Sequence, residues 1–361
     1  MSTVAGSRTE RPLDVVVCQQ SLDAVEARHD GLYSKSADLF YPLRNGLLFM
    51  GYDARDEDFV RQVIAEERQH QTTAEHIDRD LAFLQESATS VVDVVNYLTR
   101  EEILRPGMRG LEIGAASGWP SWLFAEAGAT MWLCELEPNS LASGLGFPHP
   151  SIGEGQRIVC DARYLPFADS TFDFVLCKEF AHHLEDKTGA LAEANRVLSA
   201  DGFLVFLEPM RSAISSIYEL RHPDPHFAHS ISWPRVYRRA IENAGFEIAV
   251  CADYHTRVGG RFAVMRHLRE RSRRRLREGT TSRDPLSRAF MWFGGGSLFV
   301  FAKKRRHMSA RPRPSIAVVD PAQETWTQGT SYDRSILFDE LRRAGGGILR
   351  PVANAPSVGH A

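Results

Sequence analysis

No stretch of the 361 residues approaches the roughly 20 consecutive apolar residues of a membrane span, and Met1 to Pro12 carries no apolar signal-peptide core. A cytoplasmic protein with no membrane partner is therefore expected. Cysteine is scarce. Cys18, Cys134, Cys160, Cys177 and Cys251 are scattered rather than paired in spacing. Three of them sit in or at the end of apolar runs that read as buried strands, which favours reduced thiols over a disulfide framework. Charge of one sign is also lacking, with a formal net charge of −3, so nothing global points to nucleic acid. Locally, seven arginines fall between Arg266 and Arg277. Such a run reads as a solvated helix face, a polyanion-binding patch or a lid over an acidic substrate. No internal repeat is visible.

Between Gly110 and Lys303, strand-like apolar runs alternate with helical ones, the βαβ pattern of a largely parallel sheet covered on both faces. The expected strands are Gly110 to Gly114, Thr130 to Glu135, Gln156 to Cys160, Phe172 to Cys177, Phe203 to Glu208, Phe246 to Cys251 and Ser297 to Ala302. A long excursion, Asp253 to Gly296, separates the last two and allows them to form an antiparallel edge hairpin. Before this domain, Asp56 to Leu98 reads as helical, with one face at Val91, Val92, Val94, Val95 and Leu98. Still earlier, Val15 to Cys18 and Phe40 to Phe49 read as two short strands joined by a loop. After Lys303 a basic, Pro-rich stretch precedes a strand at Ile316 to Val319 and a helix from Asp333 to Ala344. The last ten residues are expected to be disordered. The implied organisation is a small module over 1–54, a helical linker over 55–102, an α/β domain over 103–305 and an extension over 306–361.

The first strand of that domain runs into Glu112-Ile113-Gly114-Ala115-Ala116-Ser117-Gly118, with Pro120 suited to a first helical turn. Glycines let a backbone approach a ligand, and unpaired N–H groups at a helix start attract anionic groups, so a nucleotide-type ligand is expected. A carboxylate at Glu112 would repel a pyrophosphate over this turn and favour ammonium and sulfonium groups, and S-adenosylmethionine bears both. The spacing Gly114, Gly118 also misses the Gly-x-Gly-x-x-Gly of NAD sites. Glu135, followed by Leu136, ends the second strand, where an acid can accept from both ribose hydroxyls. Asp161, followed by Ala162, ends the third, placed for the adenine amino group.

These residues, together with Leu165-Pro166-Phe167 through Phe172-Asp173 and Arg196-Val197-Leu198 through Asp201-Gly202, closely resemble a class I methyltransferase of the UbiE-like, small-molecule type over residues 103 to 210. The resemblance implies a Rossmann-like seven-stranded sheet, mostly parallel with an antiparallel edge strand, S-adenosylmethionine as cofactor and methyl transfer to a small molecule. One departure is Ala116 in place of the family's middle glycine, tolerable if the turn needs no positive φ there. The loop Cys177-Lys178-Glu179-Phe180-Ala181-His182-His183-Leu184 borders cofactor and substrate in this family. It makes Lys178 a cofactor candidate and His182 and His183 candidate bases. Glu208, ending the fifth strand, is a further candidate to face the substrate. Each histidine also has a plain packing role open to it.

Tyr218, His222, His226, His229 and Trp233 form an aromatic, histidine-rich insertion whose two prolines argue against a metal site. Leu13 to Cys18 with Tyr41 to Leu47 resembles the small zinc-ribbon family that activates tRNA and protein methyltransferases. Its four ligand positions correspond here to Cys18, Ser21, Ser34 and Ala37, so one ligand of four remains and no bound metal is expected. The leading expectation is a small-molecule O-, N- or C-methyltransferase, with a secondary metabolite as one acceptor class. The alternatives are an RNA or protein methyltransferase and a non-catalytic cofactor-binding subunit.

Overall fold

The computed structural model describes residues 12–70, 88–143, 149–213, 216–217, 231–254, 270–271, 274–275, 277–281 and 296–321. Among them, no helix is long and apolar enough to cross a membrane. The main sheet consists of β6 (Arg109–Ile113), β7 (Thr130–Glu135), β8 (Arg157–Val159), β9 (Phe172–Lys178), β10 (Leu198–Met210), β11 (Phe246–Tyr254) and β12 (Gly296–Lys304). Their spatial order is β8-β7-β6-β9-β10-β12-β11. The first five run parallel, and β12 lies antiparallel between β10 and β11. This is the Rossmann-like class I methyltransferase sheet that the sequence led us to expect. Each of the seven expected strands is present, with ends that differ by a few residues.

Alternating strand side chains divide the core between two faces. Phe174 and Val205 join one cluster with Val91, Val95, Trp122 and Phe124, whereas Phe172, Val175 and Phe206 join the other with Leu191 and Tyr237. The first face is covered by a helix over residues 88–100, here α2, and by α3 (Trp119–Glu126), in which every residue from Trp119 to Ala125 is buried. A helix apolar on all sides fits only between the sheet and another helix. The second face is covered by α5 (Lys187–Val197) and α6 (Pro234–Asn243). Two further helices are α1 (Glu57–His70) and the short α4 (Pro138–Ser143). Within the expected helical stretch, residues 71–87 lie outside the described ones, as do Asp333 to Ala344 and the last ten residues.

The N-terminal segment holds five strands rather than two: β1 (Glu26–Arg28), β2 (Gly31–Ser34), β3 (Leu39–Arg44), β4 (Leu47–Phe49) and β5 (Gly51–Asp53). The run Val15 to Cys18 is not one of them. Pro12–Val15 forms a 3-10 turn, and Val16 and Val17 make only isolated bridges to Phe167 and Ala24. Within Phe40 to Phe49 the chain reverses at Asn45 and Gly46, both left-handed with φ of 52° and 79°, the two-residue hairpin turn that Asn-Gly favours. β4 then pairs in parallel with β8, so the segment continues the main sheet to eleven strands.

Beyond β12, residues 305–315 run back along α5. They are held by His307 to Asp169 at 3.0 Å, Arg311 to Asp186 at 2.8 Å and Arg313 to Glu193 at 2.7 Å. β13 (Ile316–Val318) then pairs antiparallel with β5. This strap joins β12 of the main sheet to β5 of the N-terminal segment.

Candidate functional site

Three residues of the turn after β6 occupy left-handed backbone: Gly114 at φ 70°, Ala116 at 45° and Gly118 at 78°. A Cβ on Gly114 would stand 2.4 Å from Phe180 Cδ2, and one on Gly118 2.1 Å from Leu133 Cδ2. Both positions therefore require glycine on two grounds. Ala116 does take positive φ, contrary to the condition under which the sequence made it harmless, so this exposed alanine holds a strained conformation.

Glu135 fastens the same turn. Its Oε2 accepts the Ala116 N–H at 2.9 Å, while Oε1 accepts those of Leu136 at 2.7 Å and Glu137 at 3.3 Å. It remains partly exposed at the end of β7. Glu112 lies differently from the expectation that it faces a ligand. It is buried beneath the turn, and its Oε2 accepts both the backbone N–H and the hydroxyl of Ser121, at 3.0 and 2.5 Å, in the first turn of α3. Burial pushes its pKa up to about 8, offset in part by the Ser121 bonds and the Lys178 charge. Lys178 is itself buried, with Nζ 3.1 Å from Glu179 Oε2 and 4.9 Å from the centre of the Trp119 ring.

Asp161 ends the next strand and caps the 3-10 turn Ala162–Tyr164, whose first residue, Ala162, is buried. Arg163 donates to both of its carboxylate oxygens, at 3.0 Å from Nε and 2.6 Å from Nη2. The same Nη2 lies 2.7 Å from Oδ2 of Asp56, immediately before α1. This bridge was not foreseen from the sequence. The available signal was the repeated Asp-Ala-Arg, since Asp53 caps the turn Ala54–Asp56 and binds Arg55 in the same way.

On the other side of the turn, Glu208 and His182 form a pair, with His182 Nδ1 2.9 Å from Glu208 Oε2. Glu208 does not face the substrate as expected. It has no exposed surface, because Oε1 must accept the N–H groups of Phe180 and Ala181, which would otherwise be buried unpaired. A carboxylate can only accept, so His182 carries its proton on Nδ1 and presents Nε2 as an acceptor. His183 is exposed, does not share the carboxylate, and lies against His182 with ring centres 4.0 Å apart and the rings tilted by 39°.

Of the remaining candidates, Tyr218, His222, His226 and His229 lie outside the described residues, and Trp233 precedes the first turn of α6. Within the arginine cluster, Arg277 reaches Glu270 at 3.3 Å and the buried Asp93 of α2 at 3.6 Å. In the N-terminal segment, the four positions corresponding to zinc ligands converge. The Ser21 N–H donates to Cys18 Sγ at 3.4 Å, the Ser21 and Ser34 hydroxyls meet that of Ser36 at 2.8 and 3.3 Å, and the Ala37 N–H reaches Ser34 Oγ at 3.3 Å.

Residues 111–206 match the family model described as a methyltransferase domain. The ubiquinone/menaquinone biosynthesis C-methyltransferase UbiE of Bordetella avium is 36% identical over 117 residues, 30% of this chain and 44% of the relative. A demethylmenaquinone methyltransferase of Thermobifida fusca is 31% identical over 144 residues, 36% of this chain and 61% of the relative. The chain thus spans about half the length of the curated relatives it matches. Among solved structures, a Haemonchus contortus phosphoethanolamine N-methyltransferase in complex with S-adenosylhomocysteine aligns with a TM-score of 0.42 at 19% identity, covering 58% of this chain and 52% of that one. Residues 111–206 are thus similar to methyltransferase domains.

Proposed function

We propose that the protein transfers a methyl group from S-adenosylmethionine to a small-molecule acceptor. The observation that carries this reading is the acceptor set around the Gly114–Gly118 turn. The ends of β7 and β8 contribute the carboxylates of Glu135 and Asp161, Glu112 is buried beneath the turn, and the Lys178 charge is matched by Glu179. Such a set suits a cationic ligand rich in hydroxyl and amino donors and repels a polyphosphate. Gly114, Ala116 and Gly118 would shape the turn against the cofactor, Glu135 and Leu136 would hold its ribose, and Asp161 and Ala162 its adenine. Lys178 and Glu112, buried by the turn, would support its amino-acid end.

When bound, the cofactor supplies a methyl group on a positively charged sulfur. Much of the rate of such a displacement comes from holding donor and acceptor in line. The chain adds a proton acceptor: Nε2 of His182, set in one tautomer by Glu208, takes the proton that a hydroxyl or carbon acceptor must lose. Glu208 is a positioning residue here. The activity of the Thermobifida fusca relative makes demethylmenaquinone the first acceptor to assay.

Calorimetry with S-adenosylhomocysteine tests the cofactor half. Binding that Glu135→Ala weakens at least tenfold is expected, and no detectable binding overturns the reading. Labelled cofactor with candidate acceptors tests the other half.

The N-terminal segment fits a ribbon without zinc, in which hydrogen bonds among Cys18, Ser21, Ser34, Ser36 and Ala37 take the place of metal bonds. One equivalent of zinc in purified protein would refute that part.

A further inference from the structure

The end of β8 is held on one side by β7 and on the other by residues outside the methyltransferase domain. The Asp161 N–H donates to the Gly51 carbonyl at 3.0 Å. That carbonyl also accepts from the Gln19 amide at 2.8 Å, and the Gly51 N–H donates back to Gln19 at 2.7 Å. The Asp161 carboxylate is gripped by Arg163, and Arg163 by Asp56. Asp56 is held in turn, because the turn it closes begins at Ala54, whose N–H donates to the Ser315 carbonyl of the strap at 2.9 Å, next to the β5–β13 pairing. One guanidinium nitrogen is thus shared between two carboxylates, at 2.6 and 2.7 Å, and the three side chains together carry a net charge of −1.

We propose that Asp56 is a positioning and specificity residue for the purine end of the cofactor. It shares the Arg163 charge with Asp161, so that Asp161 keeps part of its negative charge as an acceptor for an exocyclic amine. This inference rests on the proposed S-adenosylmethionine site with Asp161 at the adenine. Without Asp56 the guanidinium serves Asp161 alone, and the pair becomes neutral. A neutral pair distinguishes an amino group from a carbonyl oxygen at the same ring position less well, because the carboxylate's charge is what attracts the donor and repels the acceptor. The N-terminal segment and the C-terminal strap therefore act on cofactor choice without touching the cofactor. Asp56 is suited to the task by position, at the rim with its side chain 32% exposed, where a change of charge leaves the core intact.

The test compares S-adenosylhomocysteine with its deaminated counterpart, S-inosylhomocysteine, by calorimetry on the full-length protein. A preference of about tenfold or more for the adenosyl form is expected in the wild type, on the scale of one charge-assisted hydrogen bond. Asp56→Asn should shrink that ratio at least threefold while the inosyl affinity stays within twofold, and Asp56→Glu should restore it. A merely structural Asp56 would weaken both ligands alike and leave the ratio unchanged, which overturns the proposal. Asp56→Ser gives the same reading should the asparagine variant unfold. Asp161→Asn separates the two levels. If it abolishes the preference while Asp56→Asn does not, only the role of Asp56 fails. If it changes nothing, Asp161 does not read the purine and the placement beneath the proposal fails with it.

Discussion

His182 Nδ1 lies 2.9 Å from Oε2 of Glu208, a carboxylate with no exposed surface. The pairing separates two adjacent histidines that the sequence left equivalent, because only His182 is tied to a buried acid while His183 is exposed beside it. His182→Gln should lower kcat by about 10²- to 10⁴-fold, the usual worth of a positioned base, with S-adenosylhomocysteine affinity unchanged. His183→Gln should lower it far less. Labelled methyl transfer under single-turnover conditions measures both. Equal losses from the two variants would show that His182 has no distinct chemical role.

Ala116 at φ 45° bears a left-handed conformation that costs a non-glycine residue roughly 1–2 kcal/mol. Ala116→Gly relieves it but adds freedom to the unfolded chain, so a net gain of about 0.5–1 kcal/mol is expected in urea unfolding. Gly114→Ala should do the reverse and by more, since its Cβ would meet Phe180 at 2.4 Å as well as the unfavourable φ. A destabilised Ala116→Gly would mean the alanine methyl makes a contact that outweighs its strain.

The parts of this protein written in local pattern were legible. The seven strands of the main sheet followed from apolar runs between turn residues. The Leu165 to Phe167 and Arg196 stretches, recognised separately by resemblance, turn out to be one device. Fully buried Arg196 donates to the Leu165 and Phe167 carbonyls at 3.0 and 2.7 Å, which fixes the loop before β9. What escaped was pairing over distance. Nothing in the composition of Leu47 to Phe49 says that it will join β8, or that Ile316 to Val318 will return to β5, because strand partners are chosen by edges brought together in the fold. Glu112 and Glu208 were read as facing ligands for a similar reason: a strand-end acid looks the same in sequence whether it points into the crevice or beneath a turn whose N–H groups it must satisfy.

Glu193 bonds with Arg196 through both oxygens, at 2.9 and 3.0 Å, and receives the strap's Arg313 at 2.7 Å, all three side chains being almost fully buried. Removing the acid leaves buried Arg313 without its carboxylate and takes from Arg196 its buried partner, Asp169 remaining at 2.8 Å, so Glu193→Gln should destabilise the fold by about 3–5 kcal/mol. It should also free the strap, exposing residues 305–315 to limited proteolysis before the rest unfolds. Simultaneous loss of strap and core protection would show that the strap has no separate stability.

Glu112 carries a pKa raised to about 8 by burial, against 4.5 ordinarily. Between these values the folded protein keeps a proton that the unfolded chain has released. The stability this group contributes is therefore complete below about pH 4.5 and is lost as pH rises through about 8, at up to about 1.4 kcal/mol per pH unit. Glu112→Gln retains an acceptor for Ser121 and removes the titration. The stability of the wild type relative to this variant should fall from pH 5 to pH 8 in urea unfolding. A flat difference would mean that Lys178 keeps the carboxylate ionised throughout. Ligand binding should show the same linkage with the opposite consequence. A cationic cofactor favours the ionised carboxylate, so binding at pH 7 releases a proton and tightens as pH rises toward 8. Calorimetry in buffers of differing ionisation enthalpy detects that proton, and its persistence in Glu112→Gln would assign it to another group.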